Sequence, residues 1–338
     1  MSDRVDLRCF VTGGAAYGLG HVHRTLEVCR EALARELRVA VAVRGDAEAR
    51  VLVRQQGPAL AIESWNAPID AARPARWVLF DTREPIAKDL SAAAICGARR
   101  LVLDRVDCVD NTEWSVLPNL HARPCKSSRV SQGAEWIIVA RELRALARGE
   151  DEAPRTRALV TLGGADPHDW TGALLDPLAK ALVRTSLAGV DVVIGRCFGA
   201  REHVLRRVRE LGWRTHFDLG RRELGLLMRR AAFAVCGFGV SVYELACLGT
   251  PSVYLAHHAA DLADAEALER RGVGLLGGGG DRFDADAFRR RLEASVLSES
   301  WRERAGRHAR RSVGDGAGAA RIVDRICASL AAPSGGER

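Results

Sequence analysis

One short segment near the N-terminus combines a glycine turn with titratable side chains. Residues 18–24 read GLGHVHR, and they join an apolar segment that predicts a strand, residues 7–11, to an amphipathic segment that predicts a helix from His21. The first N–H groups and the dipole of a helix attract anions, so Gly18 and Gly20 predict a site for phosphate or developing negative charge. An imidazole beside that site suits general base catalysis near neutral pH. The segment therefore predicts chemistry as well as binding.

Two familiar phosphate-binding motifs do not fit this segment. It lacks the third glycine of the GxGxxG dinucleotide fingerprint, and no acidic residue ends a second strand about 20 residues further on. A Walker loop needs a lysine, which the segment does not contain.

Two glycine turns in the second half of the chain also lie between a predicted strand and a predicted helix. Gly163 and Gly164 follow the strand expected at residues 158–162. Glycine lets a backbone approach a ligand closely, although an ordinary turn in which Asp169 caps the next helix explains this pair equally well. The second turn, residues 237–241 (GFGVS), follows the strand expected at residues 232–236.

This second turn predicts a diphosphate site more specifically. Gly237, Gly239 and Ser241 are placed to surround phosphate oxygens at the start of the following helix. Glu244, one turn later, is placed to accept hydrogen bonds from ribose hydroxyls, whereas a glutamate taken alone at such a position is more often a solvated helix carboxylate.

The remaining segments alternate between apolar stretches and stretches of helical period, which predicts parallel strands joined by crossover helices. Residues 1–147 form the first expected domain, in which residues 107–124 are irregular and rich in turn formers. Residues 148–157 are polar and predict a linker. Residues 158–314 form the second domain. Residues 315–332 predict a helix that packs back on the first domain, and residues 333–338 predict a disordered tail.

Two doubly wound domains place the carboxyl ends of their strands toward a common cleft. Asp81 ends a predicted strand at this cleft. A catalytic role and a role as a turn cap are equally supported for this residue. A cluster of carboxylates follows in an irregular polar loop, namely Asp104, Asp107 and Asp110. Positions in solvated turns are favoured for them over a cage of oxygen ligands for a cation. For Arg24, a phosphate contact and a position along the helix surface both stay open.

Three further histidines have less specific surroundings. His257 and His258 are adjacent, so they cannot form a ligand pair on one helix face, and a surface loop is favoured over contact with a sugar. His23 is expected to be structural.

Composition limits the class of protein. The chain has 338 residues, of which 47% are hydrophobic, and this suffices for two globular domains. The net charge of +7 comes from arginines spread over predicted helices, which disfavours nucleic acid and leaves open a weak attraction to anionic substrates or lipid headgroups. No apolar stretch could span a membrane and no signal peptide is visible, so we expect a cytoplasmic monomer with nine reduced and mostly buried cysteines.

The order and spacing of the glycine segments resemble the UDP-sugar hydrolases of the pseudaminic acid pathway and related spore-coat polysaccharide proteins, within the GT-B superfamily. The resemblance rests on residues 18–24, on residues 162–167 (LGGADP) and on residues 239–251, which end in a Gly-x-Pro turn. It implies two Rossmann-like domains that face a central cleft, with the nucleotide held by the second. It also implies hydrolysis, with inversion, of the anomeric C–O bond of a UDP-linked amino or deoxy sugar, without metal or cofactor.

The same resemblance assigns roles to residues. His21 matches the family's catalytic histidine, which would activate water at the anomeric carbon. Backbone N–H groups would stabilise the leaving diphosphate, namely those of Gly163, Gly164, Gly239 and Val240. The other expected substrate contacts are Asp166, Phe217 and Asp261.

The chain departs from the family pattern in three places. Residues 12–16 (TGGAA) stand where the family has Arg-x-Asp-x-Ser. Ala260-Asp261 stands where the family has Asn-Gln, and Asp81-Thr82-Arg83 replaces Asp-x-Tyr. A different sugar and an acceptor other than water follow as alternatives, so a GT-B glycosyltransferase is the close alternative function. A noncatalytic sugar-nucleotide sensor is a third, and His21 argues against it.

Overall fold

The computed structural model describes residues 5–332 except residues 16, 56–58, 66–74, 123, 150–152, 167, 184 and 200. The expected tail at residues 333–338 lies outside the described residues, as does part of the expected linker. The described residues form two α/β units, each built on a parallel sheet. The predicted fold class is therefore confirmed.

The first sheet contains seven strands in the described residues. They are β1 (Val5–Gly13), β2 (Val39–Gly45), β3 (Ala61–Ser64), β4 (Ala75–Asp81), β5 (Arg99–Leu103), β6 (Trp114–Leu117) and β7 (Val130–Gln132). The helices are α1 (Gly20–Ala34), α2 (Ala47–Arg54), α3 (Ala87–Ile95) and α4 (Arg141–Arg148). The strand order is β3-β2-β1-β4-β5-β6-β7, and every pairing is parallel. The chain thus begins in the middle of the sheet.

β6 corrects the sequence prediction, because it lies within the stretch predicted to be irregular. All four of its residues are buried, and Trp114, Ser115 and Val116 pair with β5. The strand has only four residues and lies between the turn formers Asn111 and Pro118, so its apolar pattern is too short to be recognised in the sequence. Pairing across the sheet, rather than local sequence, determines this strand.

The second sheet contains six strands in the described residues, and eight α-helices lie in this part of the chain. The strands are β8 (Arg157–Thr161), β9 (Val190–Ile194), β10 (Arg214–Phe217), β11 (Ala231–Gly237), β12 (Ser252–Ala256) and β13 (Leu275–Gly279). The helices are α5 (Trp170–Leu182), α6 (Glu202–Glu210), α7 (Arg221–Arg230), α8 (Val240–Cys247), α9 (Leu262–Arg270), α10 (Ala285–Arg291), α11 (Glu299–Val313) and α12 (Gly318–Ala331). The strand order is β10-β9-β8-β11-β12-β13, again parallel throughout.

Both sheets reverse their strand order at one point, between β1 and β4 in the first sheet and between β8 and β11 in the second. Crossover helices leave opposite faces of the sheet at such a point, which opens a crevice at the carboxyl ends of the two strands. The glycine segment with His21 follows β1, and the two other glycine turns follow β8 and β11. Topology therefore places all three glycine turns at the two crevices.

The last helix, α12, packs against the first domain. Ile322, Val323 and Ile326 are buried in the same core as Leu26 of α1. The indole N–H of Trp77 in β4 donates to Ser329 Oγ over 2.8 Å. The chain therefore crosses back after the second sheet is complete.

Candidate functional site

His21 and Asp81 are brought together by adjacent strands. His21 lies in the first turn of α1, directly after β1, and Asp81 is the last residue of β4, which pairs with β1. His21 Nδ1 lies 2.6 Å from Asp81 Oδ1. The Asp81 side chain is fully buried, while that of His21 is 14% exposed and lines a cleft. A buried carboxylate thus orients an accessible imidazole.

The charge of Asp81 fixes the chemistry of this pair. Burial alone would raise the pKa of Asp81, but the charge of Arg24 and the hydrogen bonds from His21 and Arg24 outweigh burial and hold the pKa well below its usual range. An ionised carboxylate accepts hydrogen bonds, so Nδ1 of His21 is the protonated nitrogen. Nε2 then keeps the lone pair and is the nitrogen that can act as a base.

Arg24 stabilises the His21–Asp81 pair by binding Asp81. This corrects both sequence interpretations of Arg24, a phosphate contact and a position along the helix surface. Its Nε and Nη2 donate to the two oxygens of Asp81 at 2.9 and 2.6 Å, and its Nη1 donates to Asp104 over 2.9 Å. The residue is 7% exposed. All three guanidinium nitrogens therefore bind carboxylates, and Arg24 positions Asp81 rather than a phosphate.

Asp104 is likewise not a solvated turn. It follows β5 and accepts from Arg24 and, over 2.5 Å, from Asn119 Nδ2, which follows β6. The charge of Arg24 outweighs the effect of burial and lowers the pKa of Asp104. Three neighbouring strand ends thus supply one hydrogen-bonded network behind His21, in which the Asp104 side chain is 30% exposed. The neighbouring Asp107 does pair locally, with Arg105.

The cleft that His21 faces has a volume of about 960 Å³ and is lined by both domains. This size is within the range of small-molecule sites. The predicted residues that line it are Gly18, Gly20, His21, Arg24, Gly163, Gly164, Gly237, Gly239, Val240, Ser241 and Asp261. The glycine turns of both domains therefore surround one cavity.

The turn before α1 lies close to the two glycine turns of the second domain. A methyl group at Gly164 would lie 2.8 Å from Leu19 Cδ1, and one at Gly20 would lie 3.6 Å from Val240 Cγ2. The absence of a side chain at Gly164 is thus what lets Leu19 fit. The three turns lie within van der Waals distance across the cleft.

Three expected substrate contacts do not line the cleft. Asp166 accepts from the backbone N–H groups of Trp170 and Thr171 at 3.0 and 2.6 Å, so it caps α5, and Asp169 makes no side-chain capping bond. Glu244 is buried and forms an ion pair with Arg221 of α7. Phe217 is 49% exposed. Asp166 therefore caps a helix, Glu244 pairs with a residue distant in the sequence, and Phe217 lies in a strand away from the cleft. None of these features is visible in the local sequence.

Other side chains line the cleft although the sequence analysis gave them no clear role. His257 and His258 lie in the loop after β12, as expected, and this loop borders the cavity; His257 is half-buried and His258 is exposed. His121 Nδ1 lies 3.1 Å from the hydroxyl of Tyr243, which also accepts from Leu120 N over 3.2 Å. Tyr243 was part of the glycine motif, but only the docking of α8 against the first domain shows this contact.

An ion pair joins the two sides of the cleft. Arg83, which follows β4, lies 3.1 Å from Asp261, which precedes α9. Asp261 is therefore in the cleft, as predicted, but its carboxylate binds a residue of the first domain.

The described residues contain no cluster of three or more His, Cys, Asp or Glu side chains suited to a metal ion. Among the described helices, none has the length and apolar character needed to cross a bilayer.

Comparison with known proteins adds to this picture at the level of the fold. No protein-family model matches the chain, and no curated protein sequence matches it. Solved structures match over almost its whole length. MurG of Acinetobacter baumannii is 13% identical with a TM-score of 0.63, covering 96% of this chain and 99% of its own. CalG4, the calicheamicin glycosyltransferase, is 17% identical with a TM-score of 0.63, covering 98% and 100%.

A putative UDP-N-acetylglucosamine 2-epimerase from Listeria monocytogenes is 11% identical with a TM-score of 0.60, covering 97% of each chain. At these identities the similarity concerns architecture alone. With two Rossmann-like domains facing one cleft, this protein has the GT-B fold.

Proposed function

We propose that the protein transfers a sugar from a UDP-linked donor to a hydroxyl group of an organic acceptor, with inversion at the anomeric carbon. The observation that carries the proposal is the His21–Asp81 pair, which faces the glycine turns of the opposite domain across one cleft. A base on one side and a diphosphate site on the other are what such a displacement requires.

In the proposed reaction, His21 Nε2 accepts the proton of the acceptor hydroxyl as the acceptor oxygen bonds to the anomeric carbon. The bond from that carbon to the diphosphate oxygen breaks, and its electron pair leaves with the diphosphate. Ionised Asp81 stabilises the imidazolium that results. Backbone N–H groups at Gly163, Gly164 and Gly239, with the N-terminus of α8, stabilise the leaving group, so the proposal invokes no metal.

The wall of the cleft around His21 favours an organic acceptor over water. Val106, which is 52% exposed, offers apolar surface there, whereas Leu103, Leu117 and Pro118 also line the cleft but are buried. Water needs no apolar surface, whereas an acceptor with an apolar body gains free energy from covering one. The names of the neighbours agree with this choice, since they include glycosyltransferases and a UDP-sugar epimerase.

Hydrolysis of the UDP-sugar is the second candidate. It is favoured by residues 18–24, whose GLGHVHR pattern resembles the UDP-sugar hydrolases, and by the fact that the same His21–Asp81 pair would activate water. A panel of UDP-sugars, each with and without added hydroxyl acceptors, separates the two. UDP release that requires an acceptor supports transfer, and release of UDP and free sugar without one supports hydrolysis.

His21→Ala is expected to lower turnover by about 10²- to 10⁴-fold, because it removes the general base, while UDP binding is retained. Coupled assay of UDP release and calorimetric titration with UDP measure the two quantities. His203→Ala is the matched control, since that imidazole pairs with Asp169 in the second domain and does not line the cleft. Full activity of the His21 variant would falsify the assignment of the base.

A further inference from the structure

The second domain lines the cleft without a permanent positive charge. None of the described residues that it contributes to the cavity is a lysine or an arginine. On the first domain, Arg24 is held by Asp81 and Asp104, Arg83 by Asp261, and Arg105 by Asp107. A diphosphate bound by the glycine turns would therefore meet backbone dipoles and, among side chains of the second domain, only imidazoles as cations.

His257 lies directly on one of these turns. It follows β12, the strand next to β11, and a methyl group at Gly237 would lie 3.0 Å from its Cε1 and 3.4 Å from its Nδ1. The ring also stacks on Trp170, with centroids 4.9 Å apart and an interplanar angle of 26°. The Nδ1 edge of a fixed imidazole thus faces the position where the predicted diphosphate site begins.

The other nitrogen of the ring is buried and unsatisfied. His257 Nε2 has no hydrogen-bond partner in the described structure, and the nearest carboxylate oxygen, Asp166 Oδ1, is 3.9 Å away. Asp166 cannot move freely, because its oxygens cap α5. A buried nitrogen without a partner is costly, and a small shift of a charged ring would let Nε2–H donate to Asp166.

Four titratable groups face His257 from the elements around it. Asp166 and His168 come from the turn after β8, and His258 and Asp261 come from the segment before α9. Burial lowers the pKa of His257, the two carboxylates act in the opposite direction, and the two imidazoles add to the lowering. His257 is therefore neutral near pH 7 in the free protein, and a further negative charge beside Nδ1 would favour its protonation.

We propose that His257 takes up a proton when the diphosphate of the donor binds, and that the resulting imidazolium donates from Nδ1 to a diphosphate oxygen and from Nε2 to Asp166. This inference rests on the proposed function. The proton comes from solvent and stays on the ring. When the anomeric C–O bond breaks, the leaving diphosphate takes the electron pair, and the imidazolium stabilises its added charge. His257 is thus the cationic partner of the leaving group, as His21 is the base for the acceptor.

The test measures proton uptake with UDP-N-acetylglucosamine, whose phosphates are both esterified and so do not titrate near pH 6, unlike the terminal phosphate of UDP. Calorimetry in two buffers of different ionisation enthalpy, on the His21→Ala background to prevent turnover, gives the number of protons bound. We expect the uptake of a large part of one proton near pH 7 and less at pH 8, where the bound ring also loses its charge, so the affinity weakens as pH rises from 6 to 8.

His257→Asn should abolish this uptake and bind about ten- to a hundredfold more weakly at pH 6, with little difference at pH 8, the range for loss of one charge-assisted hydrogen bond. His168→Asn is the control and should keep the uptake, because its exposed ring does not line the cavity. Unchanged uptake in the His257 variant overturns the proposal but leaves the proposed function intact. Failure of both UDP and the UDP-sugar to bind the wild type overturns the proposed function as well.

A second measurement does not depend on folding of a variant. Ring ¹⁵N chemical shifts of the histidines in the wild-type chain, with and without UDP-N-acetylglucosamine at pH 7, distinguish neutral from charged imidazole. One ring, assigned to His257, should become charged on binding. A ring that stays neutral in the saturated complex contradicts the proposal.

Discussion

At the scale of single residues, the site depends on the pairing of one buried guanidinium with two carboxylates, of which Asp81 is fully buried and Asp104 is 30% exposed. Arg24 binds Asp81 and Asp104 at once, so each carboxylate stays ionised in surroundings that would otherwise favour its protonated form. An ionised Asp81 fixes the tautomer of His21. Removal of Arg24 or Asp81 leaves a buried charge without its partner, which costs more free energy than the loss of an exposed ion pair. Removal of Asp104 leaves Arg24 paired with Asp81 alone.

Asp104→Asn should lower the free energy of unfolding by about 1.5–3 kcal/mol at pH 7, the range for a hydrogen bond to a charged group. Folding lowers the pKa of Asp104, so its contribution is present above the unfolded pKa of about 3.9 and is lost as pH falls through the folded value. The difference between wild type and variant should therefore shrink below about pH 4. Urea unfolding at pH 7, 5 and 3.5 measures it.

Asp107→Asn is the control for this experiment. Its carboxylate is 63% exposed and pairs only with Arg105, so a change within about 0.5 kcal/mol is expected. A difference between wild type and the Asp104 variant that stays constant from pH 7 to 3.5 would show that the charge of Asp104 is not what stabilises the network.

At the scale of elements, the parallel strands explain why distant residues meet. β1, β4, β5 and β6 are consecutive in the sheet, and the residues at or just after their carboxyl ends include His21, Asp81, Asp104 and Asn119. In the second sheet the equivalent ends carry glycine turns, which bring the backbone of one domain close to the other. Gly164 is the position where this close approach is tightest for a side chain of the first domain, Leu19.

Gly164→Ala should push Leu19 and the turn before α1 out of place, because the added methyl group would lie 2.8 Å from Leu19 Cδ1. We expect a loss of stability of about 1–3 kcal/mol from overpacking, together with reduced turnover because His21 follows this turn. Thermal unfolding and steady-state kinetics measure the two effects. Leu19→Ala in the same chain should restore much of both, whereas additive losses would refute the contact. Gly199→Ala is the control, since a methyl group there meets nothing within 4 Å.

At the scale of the whole molecule, three contacts make one site from two domains. They are the Arg83–Asp261 ion pair, the packing of α12 on α1, and the hydroxyl of Tyr243, which binds Leu120 and His121 of the first domain. The Tyr243 contact is buried, whereas Arg83 is 53% exposed. Screening by water weakens an exposed ion pair, so the tyrosine contact is expected to contribute more to the relative position of the domains.

Tyr243→Phe should cost about 1–3 kcal/mol, because the Leu120 N–H would be left buried without its acceptor. Turnover should also fall, since residues 119–121 connect this contact to Asp104 through Asn119. Tyr254→Phe is a matched control: it removes a buried hydroxyl that donates to Ala265 within the second domain. That variant should lose stability without loss of turnover. Equal turnover in the two variants would contradict a role for the contact between domains.

The sequence by itself determined the local features of this protein. Residues 18–24 and the two later glycine turns show their strand-turn-helix pattern within about ten residues, because apolar period and glycine content are local properties. The alternation of elements likewise predicted the doubly wound fold, which the structure confirms. β6 escaped detection because a strand of four residues carries too little pattern.

Only the tertiary structure decided which side chains meet. Arg24 and Asp104 are 80 residues apart in the chain, Glu244 and Arg221 are 23 apart, and His257 reaches the cleft from a strand far from His21 in sequence. Such pairings depend on strand order and domain packing, which fix distances that no local pattern encodes. For this reason the sequence predicted His21 as a base but not the network that holds it, and the glycine turns but not the imidazole beside them.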